Sequence, residues 1–278
     1  MIIKVKFFDK RVKEKFLKYI GAFGTAISFI LIFYELPDNK KIMSSIIFAI
    51  SLIVIYFFIW IHANRIAHTS LIIGGTTVQI KKGDIFDEQG LKVIPFNEYF
   101  DTQVDDRIIA KASLNGKYIE TIYGDADKLA EAIKENTDLN IPENIASKEI
   151  CREGNGTKYH LGSLIVIDDF VLTAFSKFSE RNEAELTMTE YINFLLRFWN
   201  EINRVYAQKS VTVPVFGSDL TRFKNGFEEI DVDELLNIML WTFRISKTKF
   251  KFPAKLTIII YGELFDKINL FNLQEDVD

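Results

Sequence analysis

Two short loops, each following an apolar run, contain the residue types best suited to bind a ligand. The first covers residues 83–86, in which Asp84 directly follows a strand-like segment. A carboxylate in this position can accept a hydrogen bond from the amino group of a purine base. The second is the stretch 213–220, where an apolar run continues into the polar sequence Gly217-Ser218-Asp219-Leu220. We expect this turn to precede a helix and to present backbone N–H groups to an anion such as a diphosphate.

The part of the chain that carries these loops predicts alternating strands and helices. Strand-like apolar runs cover residues 77–80, 91–96, 163–167, 171–175, 211–216 and 256–261. Helical periodicity covers residues 188–206, with Thr187 and Glu190 as a capping box, residues 232–243 and residues 126–135. Asn115-Gly116 suggests a hairpin turn. Residues 76–278 are therefore expected to form a three-layer α/β domain.

The amino-terminal part of the chain has a different composition. Residues 42–61 contain no charged residue, and as a helix they would span about 30 Å, the thickness of the hydrocarbon core of a bilayer. Residues 19–34 are also uncharged, and Lys18 and Leu36 can extend them to a full span over about 17–36. A short polar turn with Pro37 joins the two spans. We therefore predict a transmembrane hairpin over residues 17–62, with a buried soluble helix as the alternative for the second span.

Charge is distributed unequally along the chain. Residues 1–18 contain seven lysines and arginines against two acids, whereas the whole chain has a net charge of −4. This distribution disfavours nucleic-acid binding and favours a membrane surface. Basic residues near membrane spans remain on the cytoplasmic side. We expect a basic cytoplasmic arm over residues 1–16, a linker over 63–75, and a multi-pass inner-membrane protein with both termini in the cytoplasm.

The composition also excludes several classes of site. A hydrophobic share of 48% and a charged share of 26% are typical of a globular protein. The single cysteine, Cys151, has no partner for an intramolecular disulfide and cannot form a cysteine zinc site. The three histidines show no metal-ligand spacing. We therefore expect no metal site.

Taken in order, these motifs resemble a known family. The run Gly83-Asp84-Ile85-Phe86, the strand that ends in Asn97 and the run Pro214-Val215-Phe216-Gly217-Ser218-Asp219-Leu220 resemble the macro domain, an ADP-ribose-binding fold. The sequences VIPFNEYFDTQVDD (residues 93–106) and SLNGKYIE (residues 113–120) are similar to the macro domain of Thoeris antiphage effectors. The preceding hairpin matches the membrane-anchored form of those effectors.

The resemblance implies a mixed central sheet between helices, with the ligand in a cleft at the strand ends. The implied ligand-binding residues are Asp84, Ile85, Phe86, Pro95, Phe96, Asn97, Gly217, Ser218, Asp219 and Leu220. Asp84 and Ile85 would contact the adenine, and Asn97 would lie near the distal ribose. Residues 217–220 would wrap the diphosphate.

The resemblance also implies a function. The family senses a nucleotide that a TIR-domain partner makes from NAD, a histidine-linked ADP-ribose in the membrane-anchored type, and binding then activates the membrane part and halts or kills the infected cell. Pro95-Phe96-Asn97-Glu98 stands where hydrolytic macro domains carry an Asn-Ala-Ala-Asn run, and the second loop has a single glycine. We therefore expect a non-enzymatic receptor that acts as a homo-oligomer in a lipid bilayer. A membrane-tethered ADP-ribosyl hydrolase and a scaffold without a nucleotide ligand are the alternatives.

Overall fold

A computed structural model describes residues 3–34, 37–149, 152–179 and 183–273 of the chain. Leu36, Cys151 and the carboxy-terminal residues 274–278 lie outside them. The chain divides into two compact units. Among the described residues, the helical unit contains those up to Thr69 together with Ile268–Leu273, and the sheet unit contains those between Ser70 and Lys267.

The helical unit is built on two long helices, α1 (Lys10–Phe33) and α2 (Asp38–Arg65). By length and composition both could cross a membrane, and most of their large apolar side chains are exposed. The predicted basic arm over residues 1–16 differs from the structure, because Asp9 caps α1 and the helix begins at Lys10. Phe271 packs with Val12 in the core of this unit, so the last described residues do not belong to the predicted domain over 76–278.

The sheet unit contains most of the eleven strands found in the described residues. They are β1 (His68–Ile73), β2 (Thr76–Lys82), β3 (Leu91–Asn97), β4 (Ile145–Lys148), β5 (Thr157–Tyr159), β6 (Leu164–Ile167), β7 (Phe170–Phe178), β8 (Ala184–Thr187), β9 (Val211–Pro214), β10 (Arg222–Lys224) and β11 (Leu256–Ile260). β4 and β5 pair with each other, and the rest form one mixed sheet in the order β1-β2-β11-β9-β3-β7-β8-β10, with β6 beside β7. Five strands that are adjacent in this sheet are parallel to one another, namely β2, β11, β9, β3 and β7.

Helices cover both faces of the sheet. They are α3 (Leu114–Lys117), continued by a π-helical segment (Tyr118–Tyr123), α4 (Ala126–Glu135), α5 (Met188–Val205) and α6 (Val232–Ile245). On one face Phe96 packs with Tyr118 and Leu129. On the other face Phe175 contacts Phe194 of α5, with ring centroids 4.9 Å apart. The predicted three-layer α/β arrangement with a mixed sheet is therefore confirmed.

Three local predictions were wrong. Asn115-Gly116 is not a hairpin turn, because the Ser113 hydroxyl accepts the Gly116 N–H and caps the helical turn α3. A Cβ on Gly116 would lie 2.3 Å from the carbonyl oxygen of Ala110, so close packing explains this glycine. The predicted linker 63–75 instead holds the end of α2 and the whole of β1. The strand predicted over 211–216 ends at Pro214.

Candidate functional site

A cavity of about 790 Å³ opens at the carboxyl ends of the parallel strands. The loops that follow β2, β9 and β11 line it, together with the last residues of β3 and β7. In open sheets of this kind the carboxyl ends of neighbouring parallel strands meet at one edge and leave a crevice for a ligand. All ten residues predicted from the sequence line this cavity: Asp84, Ile85, Phe86, Pro95, Phe96, Asn97, Gly217, Ser218, Asp219 and Leu220.

The loop after β2 contains Asp84, and one of its two carboxylate oxygens accepts a hydrogen bond from the protein. Oδ1 of Asp84 accepts the backbone N–H of Phe86 at 3.0 Å and so caps a short 3-10 turn (Ile85–Asp87). Within the described part of the chain the second oxygen, Oδ2, has no hydrogen-bond partner. Ile85 is buried in the core that supports the loop, and Phe86 packs against it. The loop is therefore rigid, and it leaves one carboxylate oxygen available to a ligand.

The end of β3 presents Asn97 to the cavity, although the Asn97 side chain also holds its own loop together. Its Oδ1 accepts the backbone N–H groups of Tyr99 and Asp101, at 3.0 and 3.3 Å. Its Nδ2 donates to Oδ2 of Asp101 at 2.9 Å. Phe96 is buried and stacks on Phe100 with centroids 5.9 Å apart. Most of the hydrogen-bonding capacity of Asn97 is thus used within the protein.

A buried ion pair behind Asn97 was missed by the sequence analysis. Arg152 donates to both oxygens of Asp101, at 2.9 and 2.7 Å, and the side chain of Asp101 is fully buried. The guanidinium lies 3.7 Å from the ring centroid of Tyr99. Burial lowers the pKa of Arg152, but the hydrogen bond and charge of Asp101 outweigh it and leave the pKa above its ordinary value. The two residues are far apart in sequence and form no local motif.

The loop after β9 is a tight turn centred on Gly217. Gly217 has φ +83°, and a Cβ on it would lie 2.8 Å from the Phe223 ring. Ser218 donates both its N–H (3.3 Å) and its hydroxyl (2.7 Å) to the carbonyl of Val215. The expectation of a helix after this turn was wrong, because the short strand β10 follows and pairs with β8.

Backbone donors are nevertheless available in this loop. Within the described residues, the N–H groups of Gly217, Asp219 and Leu220 have no hydrogen-bond partner. Unpaired N–H groups beside a cavity suit an anion, because each carries a partial positive charge. The N–H of Ser218, in contrast, points back into the turn.

Charged side chains of both signs line the cavity. Burial raises the pKa of Asp219 above the ordinary carboxyl value, and the charge of Lys117 lowers it by a smaller amount. Lys117 Nζ lies 4.7 Å from the ring centroid of Tyr261. Arg222 is paired with Glu183 at 2.7 Å. In the described part of the chain, no group of three His, Cys, Asp or Glu side chains could hold a metal ion.

Comparison with known proteins gives the family. The profile of the family described as Thoeris protein ThsA, Macro domain, matches residues 78–261, a range that includes the loops after β2 and β9. The Thoeris protein ThsA of Bacillus amyloliquefaciens (strain Y2) is 41% identical over 274 residues, which cover 96% of this chain and 90% of that protein. This chain belongs to the ThsA family of Thoeris proteins. The predicted resemblance is confirmed, and the two long apolar helices fit the membrane-anchored type of ThsA.

Solved macrodomain structures are also similar to this ThsA-family chain, at low sequence identity. The Oceanobacillus iheyensis macrodomain with ADP is 14% identical, with 74% of this chain and 95% of that chain covered and a TM-score of 0.47. A glycine-to-valine mutant of the same macrodomain with ADPR is 16% identical, with 74% and 97% covered and a TM-score of 0.48.

Proposed function

We propose that this ThsA-family chain is an antiphage defence receptor, anchored in the inner membrane, whose macro domain binds an ADP-ribose derivative. The observation that carries the proposal is the single cavity that holds all ten residues expected to contact such a ligand. Its volume of about 790 Å³ lies within the range that proteins use for ligands of nucleotide size.

The cavity offers a donor or acceptor for each part of the ligand. Oδ2 of Asp84 accepts the adenine amino group, and Ile85 and Phe86 form the apolar wall beside the base. The N–H groups of Gly217, Asp219 and Leu220 bind the diphosphate, with Lys117 as a nearby cation. Asn97 lies near the distal ribose and orders the loop that follows it.

Membership of the ThsA family supports the proposed signal and its source. A TIR-domain partner supplies the ligand, histidine-linked ADP-ribose. Binding drives self-association of the membrane helices, disruption of the bilayer and death or arrest of the infected cell. Two helices in one chain cannot enclose an aqueous channel, so a membrane lesion requires several copies. A Cβ at Gly21 or Gly24 of α1 would meet nothing within 4 Å, which leaves room for a second helix there.

Calorimetry on the full chain in detergent tests ligand binding. We expect binding of ADP-ribose and tighter binding of histidine-linked ADP-ribose. Absence of binding by both would refute the receptor function and favour a scaffold without a nucleotide ligand. Incubation with an ADP-ribosylated protein should give no release of ADP-ribose, and measurable turnover would favour the hydrolase. The engagement of Asn97 with its own loop supports the non-enzymatic reading.

Cysteine labelling tests the membrane topology. Asn39 lies in the first turn of α2, whereas Lys10 begins α1. In intact cells we expect an Asn39→Cys variant to react with a membrane-impermeant maleimide and a Lys10→Cys variant to remain protected. The opposite pattern would refute the cytoplasmic placement of both termini.

A further inference from the structure

Exposed cations surround one end of the helical unit. The beginning of α1 and the end of α2 lie side by side there, since the rings of Phe16 and Tyr56 are 5.0 Å apart. The cations at this end, here named the basic collar, are Lys6, Lys10, Lys13, Lys18 and Arg65, all exposed to solvent. Residues 6–14, which include the first three of these lysines, also contain two acids. Asp9 caps α1, and Glu14 lies 3.8 Å from Lys10.

The segment before α1 is clamped to the end of α2. Asn64 is only 6% exposed, and its Oδ1 accepts the N–H groups of Lys4 and Val5, at 2.8 and 2.9 Å. The indole N–H of Trp60 donates to the Val5 carbonyl at 2.9 Å, and the Tyr56 hydroxyl donates to the carbonyl of Phe7. Backbone groups that are satisfied in this way can lie where water is scarce. The clamp therefore fixes Lys6 relative to the apolar helices.

Aromatic side chains lie at the same level as the collar. The Phe7 ring packs on Trp60 at 5.4 Å, whereas Phe8 is 72% exposed and lies 5.3 Å from Lys13 Nζ. Beyond Lys18, α1 contains no further charge. Aromatic rings at the boundary between charged residues and a long uncharged stretch are typical of a helix at the interface between lipid headgroups and acyl chains.

We propose that the basic collar is a binding surface for the headgroups of anionic phospholipids. The collar is positively charged and therefore attracts negatively charged headgroups. The clamp fixes Lys6 of the collar relative to α1 and α2, and the exposed apolar surface of these helices adjoins the collar. The occupant is a lipid rather than a nucleic acid, because the collar borders apolar surface that nucleic acid would leave uncovered. The proposal rests on the membrane insertion in the proposed function, and it is independent of the nucleotide ligand.

Lipid selectivity of the full chain tests the collar. The protein is reconstituted in phosphatidylcholine bilayers, and its association with spin-labelled phosphatidylglycerol is compared with that of spin-labelled phosphatidylcholine. A lysine near the surface favours an anionic lipid about fivefold. We expect a preference of at least this size in the wild type, and its loss in a variant with Lys6→Gln, Lys10→Gln and Lys13→Gln. Retention of the preference by this variant would overturn the proposal.

A matched control separates an effect of the basic collar from an effect of the total charge of the protein. Lys247, Lys249 and Lys251 are exposed lysines of the sheet unit, and their replacement by Gln changes the charge by the same amount. This control should keep the preference, and an equal loss would show a non-specific charge effect. An Asn64→Leu variant keeps every charge of the collar, and it should weaken the preference by releasing the clamped segment.

Two conditions complete the test. Inorganic phosphate should leave the lipid preference unchanged, whereas displacement by it would identify a soluble-phosphate site and overturn the lipid assignment. Extraction of the wild-type chain from membranes by alkaline carbonate would instead refute the membrane insertion in the proposed function. The two failures are therefore distinguishable.

Discussion

Replacement of Asp84 by Asn tests the assignment of the adenine site. Oδ1 of Asp84 accepts the Phe86 N–H at 3.0 Å. Asp84 lines the cavity, and its Oδ2 has no hydrogen-bond partner among the residues that the structure describes. An asparagine keeps the first contact through its carbonyl oxygen and turns the second oxygen into a donor. The fold should therefore tolerate Asp84→Asn, whereas the adenine amino group loses its acceptor.

The size of the loss follows from the burial of this side chain. A hydrogen bond to a charged group contributes about 1.5–3 kcal/mol. Asp84 is partly exposed, so we expect the lower half of this range, about 1.5–2 kcal/mol, or roughly a 10- to 30-fold rise in Kd. Asp84→Ala also removes the cap and should in addition cost about 1 kcal/mol of stability.

Calorimetry and thermal unfolding of the full chain in detergent measure both effects. Asp125 is the matched control, because it caps α4 through the Lys128 N–H and does not line the cavity. Asp125→Asn should leave the Kd unchanged. If Asp84→Asn keeps both the wild-type Kd and the wild-type Tm, the base lies elsewhere and the assignment is wrong.

Three further predictions address charge, stability and assembly. Burial raises the pKa of Asp219, and we expect the negative charge of a bound diphosphate to raise this pKa further. Binding thus takes up protons and strengthens as pH falls from about 7 toward that pKa, and calorimetry on Asp219→Asn should show tighter binding at neutral pH and a weaker pH dependence. Arg152→Met leaves the buried carboxylate of Asp101 without its countercharge, which should cost about 3–5 kcal/mol and lower the Tm by roughly 6–20 °C. Arg204→Met, which breaks an exposed pair, should cost under about 1 kcal/mol. Gly21→Leu with Gly24→Leu should prevent ligand-dependent growth of the oligomer in detergent while the Kd is retained, and an unchanged oligomer would exclude this helix face as the contact.

Elements that depend on local signals were predicted well from the sequence. The starts of α5 and α6 are set by capping boxes, formed by Thr187 with Glu190 and by Asp231 with Glu234. The ten predicted site residues line one cavity because motifs at the carboxyl ends of parallel strands converge in space. Their individual contacts with a ligand remain predictions.

Features that depend on distant partners were not predictable. The ion pair of Asp101 and Arg152 joins two segments 51 positions apart, and neither residue has a local pattern. β10 contains three residues and is a strand only because it pairs with β8. Phe271 packs with Val5 and Val12, which lie more than 250 positions earlier in the chain. The spacing of apolar residues along the sequence cannot predict such a contact. These features arise from tertiary packing, which overrides local propensity.

The division of the chain has a consequence for how such a protein can change over evolutionary time. The chain leaves the helical unit inside β1, between Thr69 and Ser70, and returns to it after Lys267, which lines the cavity. The sheet unit is thus an insert with two joints rather than a module attached by one end. A single recombination event between Thr69 and Ser70 would replace both long helices but keep the segment after Lys267, whose Phe271 packs with Val12 of the helical unit and would then face an unmatched partner. Exchange of the whole helical unit in this lineage requires two coordinated crossovers, and one of them must preserve the pairing of β1.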